Sequence, residues 1–499
     1  MKRQSSFLLA LLPLWANAQS SIDDSINAVM EPVTDAIMKV IFFTVPVGGG
    51  MEVPFVLIWL LAGATIFTVY NRFVNLTAFR HALDVVRGKF DDPNHKGEVS
   101  HFQALTAALS GTVGVGNIAH VAVAVSVGGP GAAFWMVMAG FLGMASKFAE
   151  CTLGVKYRTE NPDGTVSGGP MFFLHKGLAE KGWPKLGRVL GSYYAICIAV
   201  GSLGVGAMFQ SNQAYVQLLQ VSGGDTSPLV GFGWLVGLAM AVLVGLIIVG
   251  GIKSIANITV RLVPFMVVIY VALALLVLAM NGTAIPAAFA LIFTSAFTME
   301  GVSGGFIGIM ILGFQRAAFS NEAGLGSAAI AHSAVQTDEP LSEGFVALLE
   351  PFIDTVVICT LTGLVLVITL PTEALMGSGM SGIELTSAAF QENISWAPVP
   401  LSFVAMIFAF STMLAWAYYG IKGWTYLFGE SKAKEKTFGL IFCLFIIVGA
   451  SIKLDTVLEF ADAMIFIMAI PNLIGLYILA PDVKKDLTAY MGKLRVQTG

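Results

Sequence analysis

Apolar runs long enough to cross a bilayer alternate with short polar segments along most of the chain. They lie at 53–71, 103–127, 132–150, 189–215, 229–250, 262–281, 287–312, 345–370, 399–421, 437–453 and 457–479. A hydrocarbon core about 30 Å thick needs roughly 20 residues of helix to span it. Among open-chain structures only a helix satisfies its own backbone there. The pattern therefore predicts an all-α polytopic membrane protein with eleven transmembrane helices. A further stretch, 319–335, is short and rich in Gly, Ser and Ala. It is expected to be re-entrant or packed at one face rather than to cross.

Composition agrees with that reading. Hydrophobic residues make up 56% of the 499 and charged residues 12%, about half the charged share of a soluble protein. This excludes a soluble domain, a disordered chain and a nucleic-acid binder with a basic face. The four cysteines, Cys151, Cys197, Cys359 and Cys443, lie in or beside apolar runs without CxxC spacing, so neither a disulfide framework nor a zinc site is indicated. Residues 1–18 have the form of a signal peptide: a basic start, an apolar run from Phe7 to Trp15, and Ala16-Asn17-Ala18 before Gln19. A retained N-terminal anchor is the alternative. Either way the segment 19–52 starts outside.

Eleven helices that start outside end inside. Every Lys and Arg beyond the first three residues, except Lys39 and Lys453, then falls on the cytoplasmic side, as the positive-inside rule requires. This implies an N-terminus out and C-terminus in topology in the inner membrane of a bacterium. Setting aside the first helix (53–100 with its loop), ten helices remain. They divide into two groups of five with opposite orientation, 101–285 and 286–480, followed by a cytoplasmic tail at 481–499. A 5+5 inverted repeat of this kind is built around interrupted lead helices. The first and sixth core helices are both Gly-rich, at Gly111-Thr112-Val113-Gly114-Val115-Gly116-Asn117 and at Glu300-Gly301-Val302-Ser303-Gly304-Gly305. Close packing of helices on small residues is the plainer explanation of either motif alone.

An interruption at mid-membrane frees carbonyls on one side, which suit a hard cation such as Na+, and N–H groups on the other, which suit a carboxylate. An amino-acid zwitterion with Na+ matches that pairing. Asn117 adds an amide oxygen and Thr112 a hydroxyl.

The stretch LSGTVGVGNI at 109–118 resembles the first core helix of neurotransmitter:sodium symporters. More of the chain resembles the alanine or glycine:cation symporter family, through HFQALTAALSGTVGVGNIA at 101–119, GGPGAAFWM at 128–136, GGPMFFL at 168–174 and FSNEAGLGSAAIAH at 319–332. Val115 stands where that family usually has Thr, and His120 where it usually has Gly. The resemblance implies Na+-coupled uptake of a small neutral amino acid by alternating access, with the lipid bilayer as surroundings and no organic cofactor. It implies that the substrate carboxylate meets the N–H groups of Val115 and Gly116, with Gly114 close by. One Na+ would take the carbonyl of Thr112 and the side chain of Asn117. A second would take the carbonyls of Ser110 and Val113 and the hydroxyls of Ser411 and Thr412. Back-bonds to the helix are the alternative role for Ser411 and Thr412. Trp416 is a wall of the pocket or a packing residue. Phe209, Gln210 and Asn212 line the pocket or tie helices together.

Glu300, mid-span beside Gly301 and Gly304, is a functional candidate because a carboxylate there is expensive. It would face the substrate ammonium, pair with a cation, titrate, or line a vestibule. Glu150, Glu350, Asp354, Glu459 and Asp462 are expected nearer helix ends, solvated or capping. Proton coupling is the alternative to Na+. A Na+ channel, or an intramembrane serine protease using Ser303 with His332 as base, are the rivals from other classes.

Overall fold

A computed structural model describes residues 32, 34–48, 51–92, 94–162, 164–298, 305–377, 379–380 and 382–498. The expected signal segment 1–18 and the Gly-rich stretch Glu300–Gly304 lie outside the described residues. The fold is helical, with two short antiparallel ribbons, β1 (Thr44–Gly48) with β2 (Met51–Pro54) and β3 (Thr159–Glu160) with β4 (Val166–Ser167).

Among the described residues, each of the apolar runs is largely helical. The peripheral α1 (Phe55–Tyr70) precedes α2 (His101–Thr112), α3 (Gly116–Gly128), α4 (Gly131–Lys156) and α5 (Pro184–Ser222). Then come α6 (Gly233–Ile248), α7 (Gly251–Met280), α8 (Ile285–Ser295), α9 (Gly305–Asn321) and the short α10 (Ala328–His332). The chain ends with α11 (Pro340–Thr369), α12 (Pro398–Phe428), α13 (Lys432–Ser451), α14 (Leu454–Phe466) and α15 (Ala469–Thr498). Six helices of the described residues are long and apolar enough to cross a membrane, and the bent pair α2–α3 makes a seventh. The apolar helices α1, α6 and α8 are shorter. Outward faces of α6, α7 and α8 carry exposed Leu246, Val268 and Phe293, as helices against lipid do.

Two interruptions shape the centre. Helix α2 begins at a capping box, in which Ser100 and Gln103 each bond the other's backbone N–H. It ends where Val113 turns to extended backbone (φ −74°, ψ 91°). Helix α3 restarts at Gly116, bent 40° from α2. The second interruption separates α9 from α10. Glu322 (φ 58°), Gly324 (φ 88°) and Gly326 (φ 81°) all take left-handed backbone there, a conformation that favours Gly and strains Glu. The segment 319–335, expected to be re-entrant or packed, is buried through 319–335. The sequence placed the matching break in the run 287–312. Residues 299–304 of that run lie outside the described residues; among the described residues, a break that faces the first one lies at 322–327.

Helices α5 and α11 each contain a π-helical stretch, Ser202–Phe209 and Phe352–Cys359. Such insertions shift the faces of the residues that follow and recur at functional sites. The polar connection 371–398 holds two helices, Thr372–Gly377 and Ile383–Asn393. It packs back on the centre: the Thr386 hydroxyl donates to the Ile118 carbonyl at 3.0 Å.

Candidate substrate and cation site

The first break is held open by its own Asn. The Asn117 Oδ1 accepts from the Gly114 N–H at 2.8 Å, so the side chain bridges the gap between the half-helices. Its Nδ2 donates to Asp354 Oδ1 at 2.5 Å and lies 3.2 Å from the Ser320 hydroxyl. The Asn117 carbonyl accepts from Thr362 at 3.1 Å, and Thr362 meets the Tyr270 hydroxyl at 2.6 Å. Val115 and Gly116 stand at the start of α3, where the first N–H groups have no intrahelical acceptor.

Asp354 is the carboxylate at this junction. It is fully buried, and the π-helical stretch of α11 presents it to both breaks. Its Oδ2 accepts from Ser320 at 2.9 Å and Thr355 at 2.6 Å, and Asn321 reaches Thr355 at 3.0 Å. Among the described residues its side-chain partners are neutral. A buried carboxylate without a cationic side chain either holds a proton or serves a cation from outside the chain.

On the other side of the break stands α12. The Thr412 hydroxyl is buried and has no hydrogen-bond partner among the described residues. It points at Gly114, where a β-carbon would overlap it; only glycine lets α12 approach this closely. Gln210 Oε1, likewise without a partner, lies 3.6 Å from the same β-carbon position. The Gln210 amide nitrogen is held by the Val205 carbonyl at 3.2 Å. Among the described residues Thr112 Oγ1 and Tyr419 OH are also buried without partners. These are oxygens of the kind that ligate Na+ or receive an ammonium group. Trp416 is fully buried, and its indole N–H donates to Glu322 Oε1 at 3.1 Å. Glu322 Oε2 accepts from Ser327. His120 sits between the rings of Phe209 and Phe319, with centroids 4.8 and 4.0 Å away.

The structure thus gathers Thr112, Val113, Gly114, Val115, Gly116, Asn117, Phe209, Gln210, Thr412 and Trp416 around one junction. Ser411 and Ser110 differ: their hydroxyls back-bond to the carbonyls of Phe408 at 3.0 Å and Ala107 at 2.7 Å. Asn212 ties α5 to α13 through the carbonyls of Gly449 and Ile452, at 3.2 and 2.6 Å. Glu300, Gly301, Ser303 and Gly304 lie outside the described residues. Sequence reasoning missed Ser320, Glu322 and Asp354 as parts of the junction. The signal for the first two was the SNEAGLGS run at 320–327, polar and Gly-rich like the first break.

The acids expected to be solvated are a correction. Glu150, Glu350, Asp354 and Asp462 are buried, and only Glu459 is exposed. Partners explain this. Lys147 Nζ lies 3.3 Å from Glu350, whose other oxygen is 3.4 Å from His332 Nε2. His332 Nδ1 is 2.5 Å from Glu343, which also reaches His101. Both ring nitrogens of His332 therefore face carboxylates, which is not the posture of a base beside a serine nucleophile. Asp462 pairs with Arg316, and Glu150 accepts from Asn472 at 2.9 Å.

An all-helical membrane protein with a broken lead helix, backbone groups freed at mid-span and partnerless oxygens facing them is a secondary transporter of the inverted-repeat type. The chain belongs to the sodium:alanine symporter family, whose model matches residues 39–498. That family carries out Na+-coupled symport of a small neutral amino acid; it is not a family of enzymes. A sodium/alanine symporter of Methanococcus maripaludis, AgcS, is 40% identical over 439 residues, which cover 88% of this chain and 94% of that protein. A probable sodium/glutamine symporter of Bacillus subtilis, GlnT, is 32% identical, covering 87% of each. Among solved structures, that of MhsT in complex with L-phenylalanine aligns with a TM-score of 0.55 at 17% identity, over 79% of this chain and 99% of that one.

Proposed function

We propose that this protein carries alanine or glycine into a bacterial cell across the inner membrane with Na+, and that the junction of α2, α3, α9, α11 and α12 is its binding site. The observation that carries this reading is the approach of the partnerless Thr412 hydroxyl to Gly114 at the first break. The substrate carboxylate is received by the N–H groups of Val115 and Gly116. Asn117, the Thr112 carbonyl, Ser320 and Asp354 serve one Na+; the carbonyls of Ser110 and Val113, with Thr412, serve a second. Rings of Phe209, His120, Phe319 and Trp416 crowd the junction, which favours a side chain of one carbon or none. The second repeat opens on α9, so that the breaks at 113–115 and 322–327 occupy matching positions. Alternating access then moves the broken helices and their neighbours around a fixed midplane site.

The direct test is uptake of labelled alanine into proteoliposomes under an imposed Na+ gradient, with glycine and glutamine as competitors. Uptake that persists when K+ replaces Na+ but follows a pH gradient would favour proton coupling, for which buried Glu322, bonded to Trp416, is the first acid to replace.

Thr412→Ala is expected to weaken Na+ activation more than maximal uptake. Losing one contact to a charged group is worth ~1.5–3 kcal/mol, or roughly a 10- to 150-fold rise in half-saturating Na+. Ser411→Ala should change the Na+ curve little, because its hydroxyl back-bonds to Phe408. Equal effects of the two would remove Thr412 from the cation site.

The N-out, C-in topology is tested by impermeant thiol labelling. A cysteine at exposed Gln391 should react from outside and one at half-buried Lys434 should not. Gly382 is unsuitable despite lying in the same connection, since its φ of 58° and the Gln213 side chain 2.9 Å from a β-carbon there would strain any replacement. Reversed labelling overturns the orientation.

A further inference from the structure

We infer that the cleft between the end of α1 and the C-terminal helix α15 binds the phosphate headgroup of an anionic phospholipid, with a hydroxylated headgroup of the phosphatidylglycerol kind. The cleft encloses about 420 Å³ and is lined by Tyr70, Asn71, Arg72, Val74, Lys484 and Met491 among others, with no Asp or Glu in its wall. It shares no lining residue with the transport junction, and nothing in the transport mechanism uses it.

Asn71 is the decisive residue. It is 3% exposed, it lines the cleft, and among the described residues neither its amide nitrogen nor its amide oxygen has a partner. A buried amide left without partners on both atoms is unfavourable, so the side chain needs a ligand with an acceptor and a donor close together. A phosphodiester supplies the acceptor oxygens and a headgroup hydroxyl supplies the donor. The surrounding charge has the matching sign. Arg72 is exposed at the mouth, held in left-handed backbone at φ 56°. The Lys484 ammonium is fixed beside it, donating to the Tyr70 carbonyl at 2.9 Å and lying 4.0 Å from the centre of the Tyr70 ring.

The place in the fold argues for a lipid rather than a free anion. On α1 and the segment after it, Ile66, Val69, Phe73 and Leu76 are all exposed. Arg72, Arg80 and Arg87 follow in the same stretch of chain. The cleft therefore opens where a lipid-facing surface turns basic, the depth of headgroups. Its apolar wall of Val74, Leu487 and Met491 continues inward for the first carbons of an acyl chain. Basic recesses between helices at that depth select anionic headgroups.

The test is native mass spectrometry of the full-length protein released from nanodiscs of mixed phosphatidylglycerol and phosphatidylcholine. The wild-type protein should retain phosphatidylglycerol in preference to phosphatidylcholine. Arg72→Gln, a change at an exposed side chain, should weaken that retention about fivefold, the effect of one basic residue near an anionic surface. Asn71→Leu should lower the preference for phosphatidylglycerol over phosphatidic acid, which lacks the hydroxyls. Equal retention of phosphatidylcholine, or no change in Arg72→Gln, would overturn the assignment. Displacement of the lipid by millimolar inorganic phosphate would make this a free-anion site and equally overturn the lipid reading. An unchanged melting temperature for Arg72→Gln separates lost binding from lost folding.

Discussion

Asp354→Asn is expected to raise the Na+ concentration that half-saturates alanine uptake by more than about a hundredfold, with folding and membrane insertion intact. Asp354 is fully buried, and its partners are the neutral side chains of Asn117, Ser320 and Thr355. If a Na+ ion is its missing counter-charge, the variant removes one member of a buried ion pair, a loss worth ~3–5 kcal/mol. Asn has nearly the same shape, so the packing of α11 against α3 and α9 is kept. Ser320→Ala should act in the same direction but less, since the hydroxyl is one neutral ligand. The measurement is the Na+ dependence of initial uptake rates in proteoliposomes. An Asp354→Asn protein with a wild-type Na+ curve would mean that the carboxyl is protonated throughout the cycle, and the cation would have to be placed elsewhere.

Gly114→Ala is the second large effect. A β-carbon at this position overlaps the Thr412 hydroxyl, and both helices are buried on all sides here. Relief requires α2–α3 or α12 to shift, at ~1–3 kcal/mol, and the shift acts on the atoms proposed to hold substrate and Na+. Uptake should fall by roughly one to two orders of magnitude while thermal stability falls only modestly. Combining Gly114→Ala with Thr412→Ala removes the overlap, since the Thr412 β-carbon lies 3.6 Å away. The double variant should therefore transport like Thr412→Ala alone. Wild-type uptake by the single Gly114→Ala variant would disprove the close approach.

The first break could be read from the chain because three glycines and an asparagine within seven residues have few other uses inside an apolar run. Its counterpart could not be placed the same way. Two segments, 300–305 and 321–327, are both rich in Gly, and Gly density does not say which of them faces another helix. The bond from Asn117 to Ser320 and the one from Trp416 to Glu322 place the second of them against α3 and α12. Ser411 and Thr412 are equally good hydroxyl donors in sequence. Only the rotation of α12 decides that one bonds its own helix and the other faces the break. Asp354 was misjudged for a physical reason. Glu343 interrupts the apolar character of the first turn of α11, so the apolar run begins only at 345. The helix in fact begins at Pro340, which places residue 354 well inside it. Charges can occupy those first turns because Lys147 and His101 meet them from distant parts of the chain and His332 from the preceding α10. Pairings across so many residues leave no local pattern, and neither do the π-helical stretches that set Gln210 and Asp354.

The same run of buried charges constrains how the molecule moves. Lys147, Glu350, His332, Glu343 and His101 come from α4, α11, α10 and α2, and each is at most 2% exposed. Pulling any of these helices from its neighbour would strand a charge in an apolar interior, at ~3–5 kcal/mol for each broken pair. The four are thus riveted into one plate. A transport cycle must find its hinge where contacts are weaker, along the seam on which Thr412 meets Gly114 without a hydrogen bond. Spin labels placed on α4 and α11 should keep a constant separation when Na+ and alanine are added, whereas a pair spanning α4 and α12 should change. A plate that comes apart in that experiment would leave its buried charges without a mechanical role.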